Sequence, residues 1–355
     1  MAGLTAFSAP APQSAAANAR LTALSGMGRK SAAVFLLELE GRRLLLDLGD
    51  GLEAGERPDL SGAGRIDAVI LSHAHEDHAG GLDRLPEIGS PPVFASAETL
   101  RQLGQRLPAA HALPEQGEAE VLGLPLLLGR SGHAPGGIWM RLPTRGGLLY
   151  TGDFSVEAPL LPCDPFPRAE VVIADASYGD RDEALRGQID ALASLCADGA
   201  ILPCPPHGRG ADMVTALSAR GLSIKTCAEV ADDCARLTGT RPDTVSPATA
   251  SPRDIIIATG PNAERGLPAA LRNTPGFRFV FSSHVPRSSP AWAMIESGRA
   301  QWSGWNVHPR LRDILSLAEQ TGARRILPAF VDLAQAPRLS QALGARLCQD
   351  SSLEV

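Results

Sequence analysis

The 355-residue chain is 44% hydrophobic and 20% charged, the balance of a soluble enzyme with one large or two modest cores. A net charge of −6 and an aromatic content of 4% weigh against a long nucleic-acid footprint and against stacking platforms for single strands. No run of about eighteen apolar residues occurs, so no membrane span is expected. The six cysteines form no CxxC pair and read as reduced thiols of a cytoplasmic protein.

Residues 1–18, rich in Ala, Ser and Pro, read as a flexible tail rather than a signal peptide. From about residue 21 short apolar strands alternate with turns, at 21–24, 32–39, 43–48, 67–71, 92–95, 119–128, 137–142 and 147–151. Apolar residues at three-to-four spacing predict helices over 80–87 and 97–107. The strand run Ile66–Leu71 leads directly into His73-Ala74-His75-Glu76-Asp77-His78, four metal-binding side chains within six residues. His73 and His75 share a face at period two, and Asp77 and His78 turn onto a second, so one loop can feed two adjacent ions. Imidazole with carboxylate suits zinc better than magnesium or calcium.

HxHxDH after a hydrophobic strand resembles the metallo-β-lactamase superfamily. Three further motifs follow that family's order: Asp47-Leu48-Gly49 upstream, His133 within Ser131-Gly132-His133-Ala134-Pro135-Gly136-Gly137, and Asp153 after Leu148-Leu149-Tyr150-Thr151-Gly152. The resemblance implies an α/β fold, the αββα sandwich, with the metals at one edge. His73, His75 and His133 would hold one zinc; Asp77, His78 and a bridging Asp153 would hold the second, and Asp47 would brace the site without touching metal. The segment Val171-Val172-Ile173-Ala174-Asp175-Ala176-Ser177-Tyr178-Gly179-Asp180-Arg181 resembles the β-CASP branch, which comprises RNA- and DNA-processing nucleases. Strand-and-turn pieces at 199–209, 254–261 and 279–284 then suggest an inserted α/β cap. The resulting domains are 19–181 and 299–355 for the sandwich and 182–298 for a cap that is short for the branch.

His308, in Trp305-Asn306-Val307-His308-Pro309 before a helix over 310–321, pairs with Asp175 in the resembled pattern and would protonate the leaving group. Catalytic roles thus fall to Asp77, Asp175 and His308. One departure stands out: the family's last metal ligand aligns with Phe330, leaving the second zinc dependent on water, substrate or Asp332, or on His207 and His284 should the cap fold them inward. One tight zinc and one labile zinc are expected, with manganese as a substitute.

The reading is a metal-dependent phosphodiesterase that cleaves RNA or DNA, as an exonuclease or otherwise, through a zinc-bound hydroxide; the sequence leaves a homodimer open. Two zincs about 3.5–4 Å apart would activate water and clamp both oxygens of an in-line displacement. The alternatives are a small-molecule hydrolase of the same superfamily (thioester, lactone or cyclic phosphodiester) and a catalytically weak subunit that kept the fold.

Overall fold

The computed structural model describes residues 19–52, 55–104, 107 and 109–355, so the tail expected at 1–18 lies outside the described residues. The first sheet is built from β1 (Arg20–Ser25), β2 (Val34–Leu39), β3 (Arg42–Leu46), β4 (Ala68–Ile70), β5 (Val93–Ser96) and β6 (Ala110–Leu113). The second takes β7 (Gly117–Val121), β8 (Leu124–Arg130), β9 (Ile138–Leu142), β10 (Leu148–Tyr150) and β11 (Val171–Asp175). A third, parallel sheet comprises β12 (Ala200–Cys204), β13 (Ile224–Thr226), β14 (Ile255–Thr259), β15 (Phe279–Phe281) and β16 (Ala300–Trp302). The chain then returns: β17 (Arg325–Ala329) adds in parallel to β11, and β18 (Ser352–Glu354) adds antiparallel to β1.

The first two sheets pack face to face and are covered on their outer faces as well, because strands such as β2 and β11 are nearly continuously apolar. In β2, Phe35 and Leu37 enter the core between the sheets with Leu44, Leu126, Met140 and Tyr150, while Val34 and Leu36 face the opposite way. That outer face is covered by the 3₁₀ helix Gly80–Ile88 and the helix Ala97–Leu103, the outer face of the second sheet by the helices Leu311–Thr321 and Pro337–Leu343. This is the αββα layering. Burying both faces of each sheet gives the sandwich its large core. The third sheet carries helices Leu185–Cys196, Arg209–Ser218 and Ala228–Thr238 on one face, and Gly266–Leu271 and Pro290–Glu296 on the other.

Several expectations shift in detail. The strand expected over 119–128 is two strands, because Leu122 (φ 51°) and Gly123 (φ 81°) form a two-residue hairpin turn in the left-handed region. An apolar residue in the turn hides the break. The helix expected over 80–87 is a 3₁₀ helix containing Pro86, and the one expected over 97–107 is seen over Ala97–Leu103, with 105–106 outside the described residues. The third sheet reaches Trp302, past the boundary expected at 298. Among the described residues no helix is long and apolar enough to cross a membrane.

Candidate metal centre

The histidine loop starts where β4 ends. Its middle residue, His75, sits in extended backbone at the start of a one-turn helix, Glu76–Ala79, so Asp77 and His78 are carried back over the strand ends. The loop is clamped from the start of β2 and the end of β3: Ala33 donates its N–H to the Asp77 carbonyl at 2.7 Å, and Leu48 donates to that of His78 at 3.0 Å. Gly49 lies against the same turn, where a Cβ would come within 1.9 Å of the Asp77 carbonyl oxygen, so no side chain fits there.

His73 Nε2 and His133 Nε2 each lie 3.0 Å from His75 Nδ1. Their tautomers follow from the other ring nitrogens. His133 Nδ1 donates to the Val307 carbonyl at 2.7 Å, which leaves Nε2 a lone pair. The Ser72 hydroxyl donates to Asp47 Oδ2 at 2.6 Å and therefore accepts from His73 Nδ1 at 3.0 Å, leaving His73 Nε2 a lone pair as well. Three imidazole nitrogens thus meet with at most one proton among them, which is the donor set of a metal ion. Burial holds His73 and His75 well below the ordinary imidazole range and lowers His133 to about 4, so these imidazoles are neutral near pH 7, the form that can bind a metal. The residues fit a metal at this point.

Asp47 sits beneath the cluster with no exposure. It accepts from Ser72 N–H at 2.6 Å, the Ser72 hydroxyl, His78 Nδ1 at 2.6 Å and the Tyr150 hydroxyl at 2.5 Å. Tyr150 reads in the sequence as a core strand residue, and nothing there flags its hydroxyl. With Nδ1 engaged, His78 turns Nε2 toward Asp153 Oδ1 at 3.2 Å, and both buried atoms lack a hydrogen-bond partner. Burial opposes charge on His78, but Asp153, Asp77 and Asp47 outweigh it and raise its basicity well above the ordinary value.

A residue that sequence reasoning did not single out completes the cluster. Lys30, on the Gly-rich turn between β1 and β2, places Nζ 2.9 Å from Asp77 Oδ2, 3.6 Å from Asp153 Oδ2 and 3.4 Å from Ser177 Oγ. Burial works against its charge, and Asp153, Asp77 and Asp175 more than offset it, holding Lys30 above its usual range. Both aspartates are held below the carboxylate range in return: burial disfavours their charge, and Lys30 and His78 overcome it. Phe330 is buried at the end of β17 with φ 66°; its ring lies 4.8 Å under the ammonium and 5.3 Å from the His78 ring.

His308 Nδ1 lies 2.8 Å from Asp175 Oδ2 and 3.5 Å from Asp153 Oδ2, which joins the dyad to the cluster. Ser177 donates its N–H and hydroxyl to Asp175 Oδ1, at 3.0 and 2.7 Å. Asp332 is not drawn in: its carboxylate caps the 3₁₀ turn Leu333–Gln335 by accepting from Ala334 N–H at 2.9 Å and Gln335 Nε2 at 3.0 Å. His207 is half-buried against Asp233, Arg101 and Glu98, and His284 is exposed; neither joins the converging groups found among the described residues. The cap meets the His133 loop directly, since a Cβ on Gly208 would come within 2.4 Å of Pro135 Cδ. Arg209, beside it, lines a narrow cavity with His133, Ser155 and Asn306, and its Nη1 is buried without a partner.

Residues 27–199 match the family described as Metallo-beta-lactamase superfamily. Ribonuclease TTHA0252 of Thermus thermophilus is 35% identical over 181 residues, 42% of this chain and 42% of its own. Transcription termination factor FttA of Methanosarcina mazei is 30% identical over 202 residues, 45% of this chain and 32% of its own. The chain thus spans under half the length of these curated relatives. A solved structure of a protein of unknown function from Enterococcus faecalis V583 superposes with a TM-score of 0.65 over 96% of this chain and 100% of that one, at 12% identity, and shares the fold.

Proposed function

We propose, on the premise that this chain carries a metallo-beta-lactamase superfamily domain, that it is a metal-dependent nuclease hydrolysing phosphodiester bonds of RNA or DNA. The observation that carries the reading is the Asp175–His308 pair at 2.8 Å, set against the edge of a three-imidazole cluster. Hydrolases whose leaving group departs unaided have no need of such a pair. A sugar alkoxide does, because its conjugate alcohol is so weak an acid that the oxygen departs poorly unless it is protonated.

The metal is zinc in this reading, held by His73, His75 and His133, since a donor set of three neutral imidazoles favours it over oxygen-seeking cations. When bound, it supplies Lewis acidity and lowers the pKa of a coordinated water. The protein's own residues supply the rest. Asp175 fixes the His308 ring with Nδ1–H toward its carboxylate, so Nε2 is the nitrogen free to give a proton to the departing oxygen. Arg209 offers an unpaired guanidinium nitrogen in the cavity beside His133, a donor suited to a non-bridging phosphate oxygen. The relatives named ribonuclease and transcription termination factor support a nucleic-acid substrate. The sandwich, in two parts around the cap, would present the centre, and the cap would form the opposite wall of the groove.

A small-molecule hydrolase is the second reading, favoured by the net charge of −6. The deciding experiment runs labelled single-stranded RNA, single-stranded DNA, a thioester and a lactone side by side with zinc-loaded, manganese-loaded and chelated protein. Metal-dependent cleavage of an oligonucleotide is expected. Turnover of only the thioester or lactone would overturn the nuclease.

A further inference from the structure

We propose that Lys30 is the second cation of this centre: its ammonium takes the place between Asp77 and Asp153 that a second metal ion would need, so the site holds one metal ion only. The inference rests on the reading of His73, His75 and His133 as a metal site and goes beyond it by assigning the neighbouring position.

The geometry is specific. Lys30 Nζ is 2.9 Å from Asp77 Oδ2 and 3.6 Å from Asp153 Oδ2, the two carboxylates that face the histidines. It also donates to Ser177 Oγ at 3.4 Å, so the contacts found for the ammonium all lie within this pocket. The side chain is 29% exposed, and its head is turned inward rather than toward water, the opposite of the usual behaviour of a lysine. With Asp77 Oδ2 paired to Lys30, the neighbouring position has His78 Nε2 and Asp153 Oδ1, 3.2 Å apart; the third member of the donor group they form, His73, already belongs to the three-histidine site. Two protein ligands fall short of the three that hold a catalytic zinc.

Phe330 bounds the same position from the other side. It stands at the end of β17 with its ring 4.8 Å from Nζ and 5.3 Å from the His78 ring, filling the remaining approach with carbon. Its φ of 66° lies in the left-handed region, where a bulky aromatic is uncommon and histidine is enriched several-fold. The backbone is thus shaped for a smaller polar residue, while the side chain present gives the ammonium an aromatic face. A metal-donating residue is missing and a fixed positive charge is supplied, both at one point. The two features explain each other: an ammonium brings charge without needing ligands on every side.

The test is metal stoichiometry, which does not depend on turnover. Wild-type protein and the double variant Lys30→Ala/Phe330→His are stripped with chelator, reloaded with excess Zn²⁺ or Co²⁺, desalted, and analysed by native mass spectrometry and elemental analysis. Histidine suits the backbone at 330, so the variant adds a ligand without new strain. Wild type is expected to retain one ion per chain and the double variant two, with the visible Co²⁺ bands growing through a second equivalent only in the variant. Two ions in wild type, or one in the double variant, would overturn the role of Lys30 while leaving the three-histidine site intact. No ion in either would overturn the metal reading itself. Anomalous diffraction from zinc-loaded wild-type crystals needs no variant: a single peak beside His73, His75 and His133, with Lys30 still on Asp77, is expected, and a second peak between Asp77 and Asp153 would refute the proposal.

Discussion

Replacing His308 by alanine should slow cleavage of an oligonucleotide by about 10² to 10⁴, the usual worth of general acid catalysis, or roughly 2.7–5.5 kcal/mol of barrier. A nitrophenyl phosphodiester should be hardly affected, because a phenolate with a pKa near 7 departs without a proton. The structure extends the prediction to Asp175→Asn. Oδ1 of Asp175 accepts from both Ser177 N–H and its hydroxyl, so an asparagine there would keep its oxygen at that position. Its NH₂ would then face His308 Nδ1, where the carboxylate now accepts at 2.8 Å. Two donors cannot pair, and the ring must move its proton to Nε2 or turn away; either way the charged imidazole loses its partner. The loss should therefore approach that of His308→Ala, and the double variant should be little worse than either single one. The assay is single-turnover cleavage of a 5′-labelled oligonucleotide against release of nitrophenolate, with melting temperatures measured on every variant. Equal slowing on both substrates, at unchanged melting temperature, would mean that His308 binds metal or substrate and that the proton argument is wrong.

Gly49→Ala should cost the loop its position, since the new methyl would lie 1.9 Å from the Asp77 carbonyl oxygen; a lowered melting temperature with weaker metal uptake is expected, and an unchanged protein would show that the turn yields freely. Asp212, buried on the helix Arg209–Ser218 where it accepts from Leu160 N–H at 2.8 Å, has its pKa raised by burial to about 6. The unfolded carboxyl titrates near 3.8, so the stability it contributes is present below that pH and lost as pH rises through about 6. Asp212→Asn should consequently raise stability at pH 7 by an amount on the order of 3 kcal/mol and flatten that part of the profile, as read by denaturant melts at pH 4.5 and 7. In metal-free protein the His133 ring should remain neutral at pH 6 and protonate only near 4, because burial penalises its charge; nitrogen chemical shifts report this directly, and protonation at an ordinary pH would refute the dry environment.

What could be read from the sequence was whatever repeats a local rule. Continuous apolar runs over β2 and β3 expose two-sided burial, and a histidine cluster following an apolar strand is informative because the strand end places all its side chains at one edge. Elements without such a rule stayed hidden. β18 (Ser352–Glu354) is a half-exposed edge strand with no apolar pattern, and its place beside β1 follows from the return of the chain rather than from its own residues. Leu122 sits in a hairpin turn although leucine is a poor turn residue, so the apolar run across 119–128 read as continuous. Tyr150 looks like any core aromatic until its hydroxyl is seen on Asp47.

Lys30 is the most instructive of these hidden residues, because neither spacing nor periodicity connects it to the cluster. It lies on a turn whose sequence, Gly26-Met27-Gly28-Arg29-Lys30-Ser31, reads as solvent-facing loop, and only the third dimension turns its head onto Asp77. One sequence signal existed: in a chain whose cations are otherwise arginine, only Lys30 and Lys225 are lysines. An ammonium is a compact point charge that approaches both carboxylates here, at 2.9 Å from Asp77 and 3.6 Å from Asp153, whereas a guanidinium is a planar fork. The departure at Phe330, which the sequence did expose, marks the place where that charge is used, since its ring lies 4.8 Å from the ammonium.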